Sequence, residues 1–320
     1  MLAYLNMSSR VTLGNVLLNN ISGYEINENV LEMSNVANII IPRNYKKLAE
    51  KPILEVIKVG DIVKIESCYN GLFGIEFTGY IKEIESDLPL IIHCEDETYV
   101  LRQTSFIKSY KSATLKQILT DIIPRSITWE VPAIHIGKYQ IDKASAYEVL
   151  NDLMKRYGLY SRLTNGHLKV GLAYDFADTS RNHVYTIGVD VKKNELKYKR
   201  KDDFKIRFKA TATSPNGKKV HVTVGSLEAN ASERTLNFAG PMTEAQLKEK
   251  ARAIMAKLVY DGYTGTITGF GMPRTRAGDA LEIRDKWEPE RAGKYLIEKV
   301  DILYNDSEGY KRVNTLSYKI

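Results

Sequence analysis

A short β unit occurs twice in this sequence, once near each end. The later copy lies in Arg276–Val300, where the turn pair Gly278-Asp279 precedes an alternating strand and Gly293–Val300 supplies a second strand. The earlier copy has the same order, with Val59–Ile65 carrying the Gly-Asp turn and first strand and Phe77–Ile84 the second. Alternating apolar residues after a Gly-containing turn are typical of β-strands. The duplication predicts two related β domains.

The chain length agrees with several domains. A chain of 320 residues is longer than most single cores, and 43% hydrophobic and 27% charged residues are ordinary for a globular protein. Strand signals at Gly23–Asn27, Asn38–Ile41 and Leu90–Cys94, with turn signals such as Asn70-Gly71, recur about every ten residues. We therefore predict a mainly β fold in which residues 1–105 form a first tube-like antiparallel barrel.

The middle of the chain has a helical period instead. Ser112–Ile123 carries apolar residues at helical spacing, and Ser145–Glu148 is a capping-box sequence that opens a second helix, with Gly158 at its end. Asn165-Gly166 predicts a hairpin. Residues 106–180 are thus predicted to be a small α/β insert.

Strands resume after this insert. Phe204–Phe208 alternates cleanly, and Ser214–Gly217 predicts the turn of a hairpin. The capping-box sequence Thr243–Gln246 opens a long helix near residues 243–260, which we expect Gly262 to end. Residues 181–320 are predicted to be a second β-barrel domain that carries this helix.

Charge and cysteine content restrict the function only broadly. The net charge is +7, and basic residues cluster only in Lys192–Lys201, which suits either a strand edge protected by lysine or a nucleic-acid patch with Tyr198 as a stacking surface. Cys68 and Cys94 are too few for a disulfide framework, and the sequence does not tell whether they are close. No apolar run is long enough to span a membrane, so no stable membrane insertion is expected.

Residues that could carry chemistry form no recognisable site. The five histidines are scattered, and strand alternation would place His93 and Cys94 on opposite faces. The aspartates of the two Gly-Asp pairs, Asp61 and Asp279, are interpreted as turn residues whose carboxylates bond nearby backbone. We therefore predict no catalytic, cofactor-binding or metal-binding residues, and no enzymatic activity.

The order of these elements resembles the baseplate hub proteins of contractile-tailed phages, a group that includes Mu-type and T4-type hubs, late control protein D and the hub part of VgrG spikes. The segments that carry the resemblance are Val59–Ile65, Phe77–Ile84, Ala144–Leu159, the Asn165-Gly166 hairpin, Gly278–Ile283 and Gly293–Val300. Each motif is short, and their order along nearly the whole chain carries the weight.

The resemblance implies a homotrimer in which two barrels per subunit form a pseudo-six-fold ring. That ring would join the tail tube protein to the spike protein and let DNA or cargo pass through its lumen without specific binding. It also implies a place in the virion tail baseplate, after assembly in the bacterial host cytoplasm, and it transfers no catalytic residues. The sequence does not distinguish a phage, a prophage and a bacterial injection system.

Two other functions remain open at this point. Gly137–Ile141 before the capped helix looks a little like a LysM module, which would make the insert a glycan- or peptidoglycan-binding module. A tail-associated cell-wall hydrolase is the third alternative.

Overall fold

The computed structural model describes residues 6–19, 21–42, 47–48, 51–85, 89–172, 178–289 and 292–320. Residues 173–177 of the predicted insert, and residues 290 and 291 before Gly293, lie outside the described residues. Strands β1–β9 are Met7–Leu13, Val16–Leu18, Gly23–Asn29, Val36–Ile41, Lys47–Leu48, Lys51–Pro52, Ile62–Tyr69, Gly74–Glu85 and Leu90–Glu95. Strands β10–β14 are Ser105–Thr114, Thr128–Glu130, His135–Ser145, Tyr160–Thr164 and His167–Gly171. Strands β15–β23 are Asn182–Thr186, Val191–Lys199, Ile206–Thr213, Lys219–Gly225, Ser232–Ala239, Gly262–Phe270, Ala280–Arg284, Gly293–Asn305 and Gly309–Lys319. Helices α1–α4 are Ile53–Val56, Leu115–Ile122, Ala146–Tyr157 and Glu244–Leu258, and Glu97–Arg102 and Lys201–Asp203 are 3₁₀ turns.

The prediction of a mainly β fold is confirmed, and the strands from both ends of the chain form one sheet. Its path runs β16-β20-β23-β22-β3-β4-β9-β8-β7-β1-β2, with β21 on β22 and β15 on β21 as a branch. Within the described residues no ladder joins the two ends of this path, so the sheet is open. The two barrels predicted as separate tubes are joined because β3 of the first pairs with β22 of the second.

The main core follows from this shared sheet. Ile65 and Ile81 from the N-terminal part, and Ile283 and Ile297 from the C-terminal part, are fully buried and belong to one apolar cluster. Alternation on the paired strands sends every second side chain into this cluster. The two ends of the chain therefore stabilise each other.

Residues 105–171 carry a core of their own. Helices α2 and α3 pack their apolar faces against β10–β14, and both begin at complete capping boxes. Ser145 accepts from the Glu148 amide and Glu148 caps the Ser145 amide, as predicted, while Gly158 ends α3 with φ 65°. The first predicted helix starts later than Ser112, because the chain as far as Thr114 is paired in β10.

The chain segment that connects β16 to β20 forms a third core. This segment belongs to the region predicted to be a second β-barrel domain with a long helix. Strands β18-β17-β19 form a separate sheet, and α4 packs on it through Leu247, Ala251 and Leu258. The predicted helix near 243–260 is confirmed, but Gly262 does not end it. The helix stops at Leu258, and Gly262 begins β20. No helix in the described part of the chain has the length and apolarity needed to cross a membrane.

Candidate functional site

Two sets of five strands have the same order in the sheet. The first repeat consists of β3, β4, β7, β8 and β9, which lie side by side as β3-β4-β9-β8-β7. The second repeat consists of β16, β20, β21, β22 and β23, which lie as β16-β20-β23-β22-β21. Counted along the chain, the first to fifth strands of one repeat occupy the same places in the sheet as the first to fifth strands of the other. The duplication predicted from the Gly-Asp units therefore extends over ten strands.

The glycines of the two Gly-Asp turns have the same backbone geometry. The Gly60 amide donates to the Ile81 carbonyl over 2.8 Å, and the Gly278 amide donates to the Ile297 carbonyl over 2.8 Å. Their φ angles are 92° and 97°, a left-handed conformation that strongly favours glycine. Glycine is needed at both positions for the same reason.

The aspartates of the turns also match. The Lys58 amide donates to Asp61 Oδ2 over 2.8 Å, and the Arg276 amide donates to Asp279 Oδ2 over 3.0 Å. Both carboxylates thus bond backbone three residues earlier, as the turn interpretation predicts. Asp279 is also 2.9 Å from His183 Nε2, and its equivalent Asp61 is less buried.

The ladders fix how the second strands of the two hairpins correspond. Phe77 lies opposite Ile65, and Gly293 lies opposite Ile283. Gly293 therefore corresponds to Phe77 and not to the glycine at position 79. A shift of two residues keeps every side chain on the same face, so the alternating pattern alone cannot exclude it.

The ladder between β3 and β22, which we call the seam, holds the two repeats together. It runs from Lys299 opposite Asn29 to the other end of β3, seven residue pairs in all, and Asn27 Nδ2 donates to Asp301 Oδ1 over 2.5 Å. The Tyr24 ring stacks on that of Tyr304, with 5.4 Å between centroids. The contact is therefore a backbone ladder with side-chain packing on it.

A buried ionic cluster bridges the repeats beside the seam. Glu76 is buried and accepts from Arg274 Nε over 2.8 Å, from the Tyr310 hydroxyl and from Arg312. The Arg312 side chain is fully buried and also donates to the carbonyls of residues 271 and 275. Burial raises the pKa of Tyr310. Burial alone would lower the pKa of Arg312, but the neighbouring Glu76 and Tyr310 outweigh it and raise that pKa.

The basic run Lys192–Lys201 lies mostly on β16, whose described backbone ladder is with β20 alone. Lys193, Lys197 and Lys199 are exposed. Tyr198 packs edge-on against Tyr263, with centroids 5.7 Å apart. The tyrosine is thus part of the protein packing, and the geometry agrees with a lysine-protected strand edge.

The described residues hold no group of three or more potential metal ligands close enough to share an ion. His93 Nδ1 is 2.7 Å from Asn38 Oδ1, whereas Cys94 points into the core, where burial raises the pKa of its thiol to about 12. Cys68 is likewise buried and reduced. A cleft of about 660 Å³ lies between β8, the insert and the second Gly-Asp turn, and acidic and basic side chains are mixed along its wall.

The residues that suggested a LysM module alternate between the core and the surface. Tyr139 and Ile141 are buried in the core of the insert, and the Tyr139 hydroxyl donates to Asp152 over 2.8 Å. They serve the packing of β12 on α3 and form no aromatic groove.

Together these features define a mainly β protein that contains two repeats of one five-stranded unit. No family model and no curated protein matches the chain. Solved structures do. A tail protein from Neisseria meningitidis MC58 superposes with a TM-score of 0.63 at 16% identity, over 98% of this chain and 97% of that chain. The 43 kDa tail protein of prophage MuSo2 from Shewanella oneidensis gives 0.59 at 18% identity, over 97% and 98%.

A third similar structure comes from an E. coli component of the type VI secretion system, described as structurally similar to T4 bacteriophage tail proteins. It gives a TM-score of 0.55 at 10% identity, over 93% of this chain and 73% of that chain. The predicted resemblance is confirmed at the level of fold: the chain shares the fold of these phage tail proteins.

Proposed function

We propose that this chain is a structural hub of a phage tail baseplate or a related injection apparatus, and that it acts as a homotrimer. The observation that carries the proposal is the duplication, because two equivalent repeats per chain give three copies six equivalent units. A ring of six units matches a six-fold tube on one side while keeping three-fold symmetry for a spike on the other.

The partners in this proposal are a tail tube protein and a spike protein. The ring would surround a lumen through which DNA or cargo passes without sequence-specific contact, and the protein would reside in the virion tail after assembly in the host cytoplasm. No catalytic role is part of the proposal.

Light scattering coupled to size-exclusion chromatography tests the proposal. We expect a particle with three times the chain mass of 36.3 kDa. The interfaces of such a permanent complex should bury more than about 2,000 Å². The same measurement with separately purified spike protein covers assembly that needs a partner. A strict monomer under both conditions would contradict the proposal.

Two further assays separate the alternatives. Purified cell wall should neither retain the protein in a pull-down nor be cleared by it in a zymogram. Retention with a monomeric mass would instead favour a cell-wall-binding module.

A further inference from the structure

The seam inside the chain is a template for a contact between chains. We propose that the outer edge of β16 pairs with the Lys82–Glu85 end of β8 in a second copy of this chain, in an antiparallel ladder that repeats the β3·β22 seam. This inference rests on the proposed function, and it names the strands that would build the ring.

The two edges are the counterparts of the seam strands. In the seam, β3 of the first repeat docks on the part of β22 that extends beyond its ladder with β21. In the second repeat, β16 takes the place of β3; in the first repeat, β8 takes the place of β22. β8 likewise extends beyond its ladder with β7, which ends at Tyr80. No ladder in the described residues covers either edge.

The register on β8 follows from the matched hairpins. Ile81 lies opposite Cys94, and Ile297 lies opposite Leu316. Both ladders then shift by one residue at the next position, Lys82 in the first repeat and its counterpart in the second. Because the two bulges occur at equivalent positions, the residues of β8 and β22 that follow them also correspond one to one. Glu83 and Glu85 therefore correspond to Lys299 and Asp301.

The register on β16 follows from the neighbouring strands. Ala37 and Gly265 lie opposite the two positions just matched on β9 and β23. Ile26 lies opposite Ala37, and Leu196 lies opposite Gly265. Leu196 thus corresponds to Ile26, and the residue after it, Lys197, corresponds to the seam residue Asn27.

Transferring the seam register gives three pairs between copies. Glu83 would lie opposite Lys199, Ile84 opposite Tyr198, and Glu85 opposite Lys197. The seam bond from Asn27 to Asp301 thereby becomes an ion pair between Lys197 and Glu85. Opposite charges placed directly across an antiparallel ladder are favourable.

Charge and exposure make a second copy of the chain the fitting occupant. Glu83 and Glu85 are exposed on one edge, and Lys197 and Lys199 are exposed on the other, so one molecule presents both halves of the contact. A contact between two different edges is heterologous, and it closes into a ring when the successive rotations add up to one full turn. The seam supplies that step within each chain.

Disulfide trapping tests the register. Directly opposed residues in an antiparallel ladder have Cα atoms about 4.5–5.5 Å apart, within the range that a disulfide spans. We expect E85C/K197C to form covalent dimers and trimers under mild oxidation, with no species above three chains. N27C/D301C is the matched control, because the seam predicts a disulfide within one chain. Cys68 and Cys94 are buried and give no background in the folded protein.

Charge reversal supplies a second readout. K197E/K199E and E83K/E85K should each weaken self-association at least tenfold, and an equimolar mixture of the two should recover dimers through their complementary edges. A trimer that is insensitive to both reversals, and in which only the control disulfide forms, would overturn the strand pairing while leaving the hub function intact. A wild-type monomer with no intermolecular disulfide would overturn both.

Discussion

The two repeats share strand order and turn geometry but differ in their interiors. Leu90 on β9 corresponds to Arg312 on β23, because each lies at the matching position of the equivalent ladder. Two residues further on, Ile92 corresponds to Asn314 in the same way. All four side chains are buried. The same backbone arrangement therefore accepts an apolar interior in one repeat and a polar one in the other.

The neighbour on the seam side accounts for Arg312, whereas Asn314 is paired within the C-terminal part of the chain. Glu76 of the first repeat reaches Arg312, and Thr275 donates to Asn314 over 2.6 Å. The first repeat has no further repeat of its own chain in the corresponding position. Repeated strands and turns are thus set by local patterning, while the polarity of the interior depends on what each repeat packs against.

The strongest test of this comparison is E76Q. The substitution leaves Arg312 buried without its charge partner, and removing one member of a buried ion pair typically costs about 3–5 kcal/mol. We expect a loss of this size in the free energy of unfolding measured with urea. E249Q, at an exposed position on α4, is the control of the same chemistry and should change stability by less than about 0.5 kcal/mol.

The double variant E76Q/R312M sharpens that result. Because it removes both charges from the interior, it should regain a large part of the stability lost in E76Q. Equal losses in the single and double variants would show that the cluster is not a coupled unit.

A smaller effect is expected where the repeats differ in an exposed strand. Glu66 on β7 pairs with Arg10 over 2.8 Å, and the hydrogen bond from Arg10 lowers the pKa of Glu66 from 4.5 to about 2. A lowered folded-state pKa stabilises the protein above the unfolded-state pKa, and that contribution is lost as pH falls from 4.5 towards 2. Because Arg10 is partly exposed, E66Q should cost about 1 kcal/mol near neutral pH.

The matching position in the second repeat is Arg284, which pairs with Glu282 at an exposed site. R284Q should therefore have almost no effect on the unfolding free energy. The difference between E66Q and wild type should shrink in acid. A difference that persists at about pH 1, where Glu66 is protonated in the folded and the unfolded state, would contradict the assignment.

A further comparison concerns the turn aspartates. D279N should cost about 1 kcal/mol, since Asp279 is buried and contacts His183 as well as backbone. D61N keeps an oxygen for the Lys58 amide at a more exposed site and should cost less than about 0.5 kcal/mol. Thermal unfolding of the two variants measures the difference, and neither should abolish any activity.

Local signals predicted most elements of this fold. Alternation located β17, the capping boxes located α3 and α4, and the repeated Gly-Asp turns located the duplication. Each of these signals consists of residues that are close together in the chain, so it can be recognised in a single sequence. The lysines of β16 likewise suit a strand edge protected by lysine, which was one of the two interpretations of the basic run.

The long-range contacts could not be predicted in the same way. Nothing near Asn27 indicates Asp301, because pairing at this distance depends on the whole assembled sheet. The separate core under α4 was missed since its strands alternate like those of a barrel. Glu76 and Arg312 look like ordinary surface residues on alternating strands, and only the seam explains their burial.

The seam joins two strands that are synthesised at very different times. Asn27 and Asp301 are 274 residues apart, so at a synthesis rate of about 5–20 residues per second β3 leaves the ribosome roughly 14–55 s before β22 exists. During that interval the first repeat must keep its outer strand from pairing with other nascent chains. On β3 the polar residues Glu25, Asn27 and Asn29 alternate with Tyr24, Ile26 and Glu28, and this polar face discourages such pairing. The exposed edge of β3 is thus protected from aggregation until β22 of the same chain can pair with it.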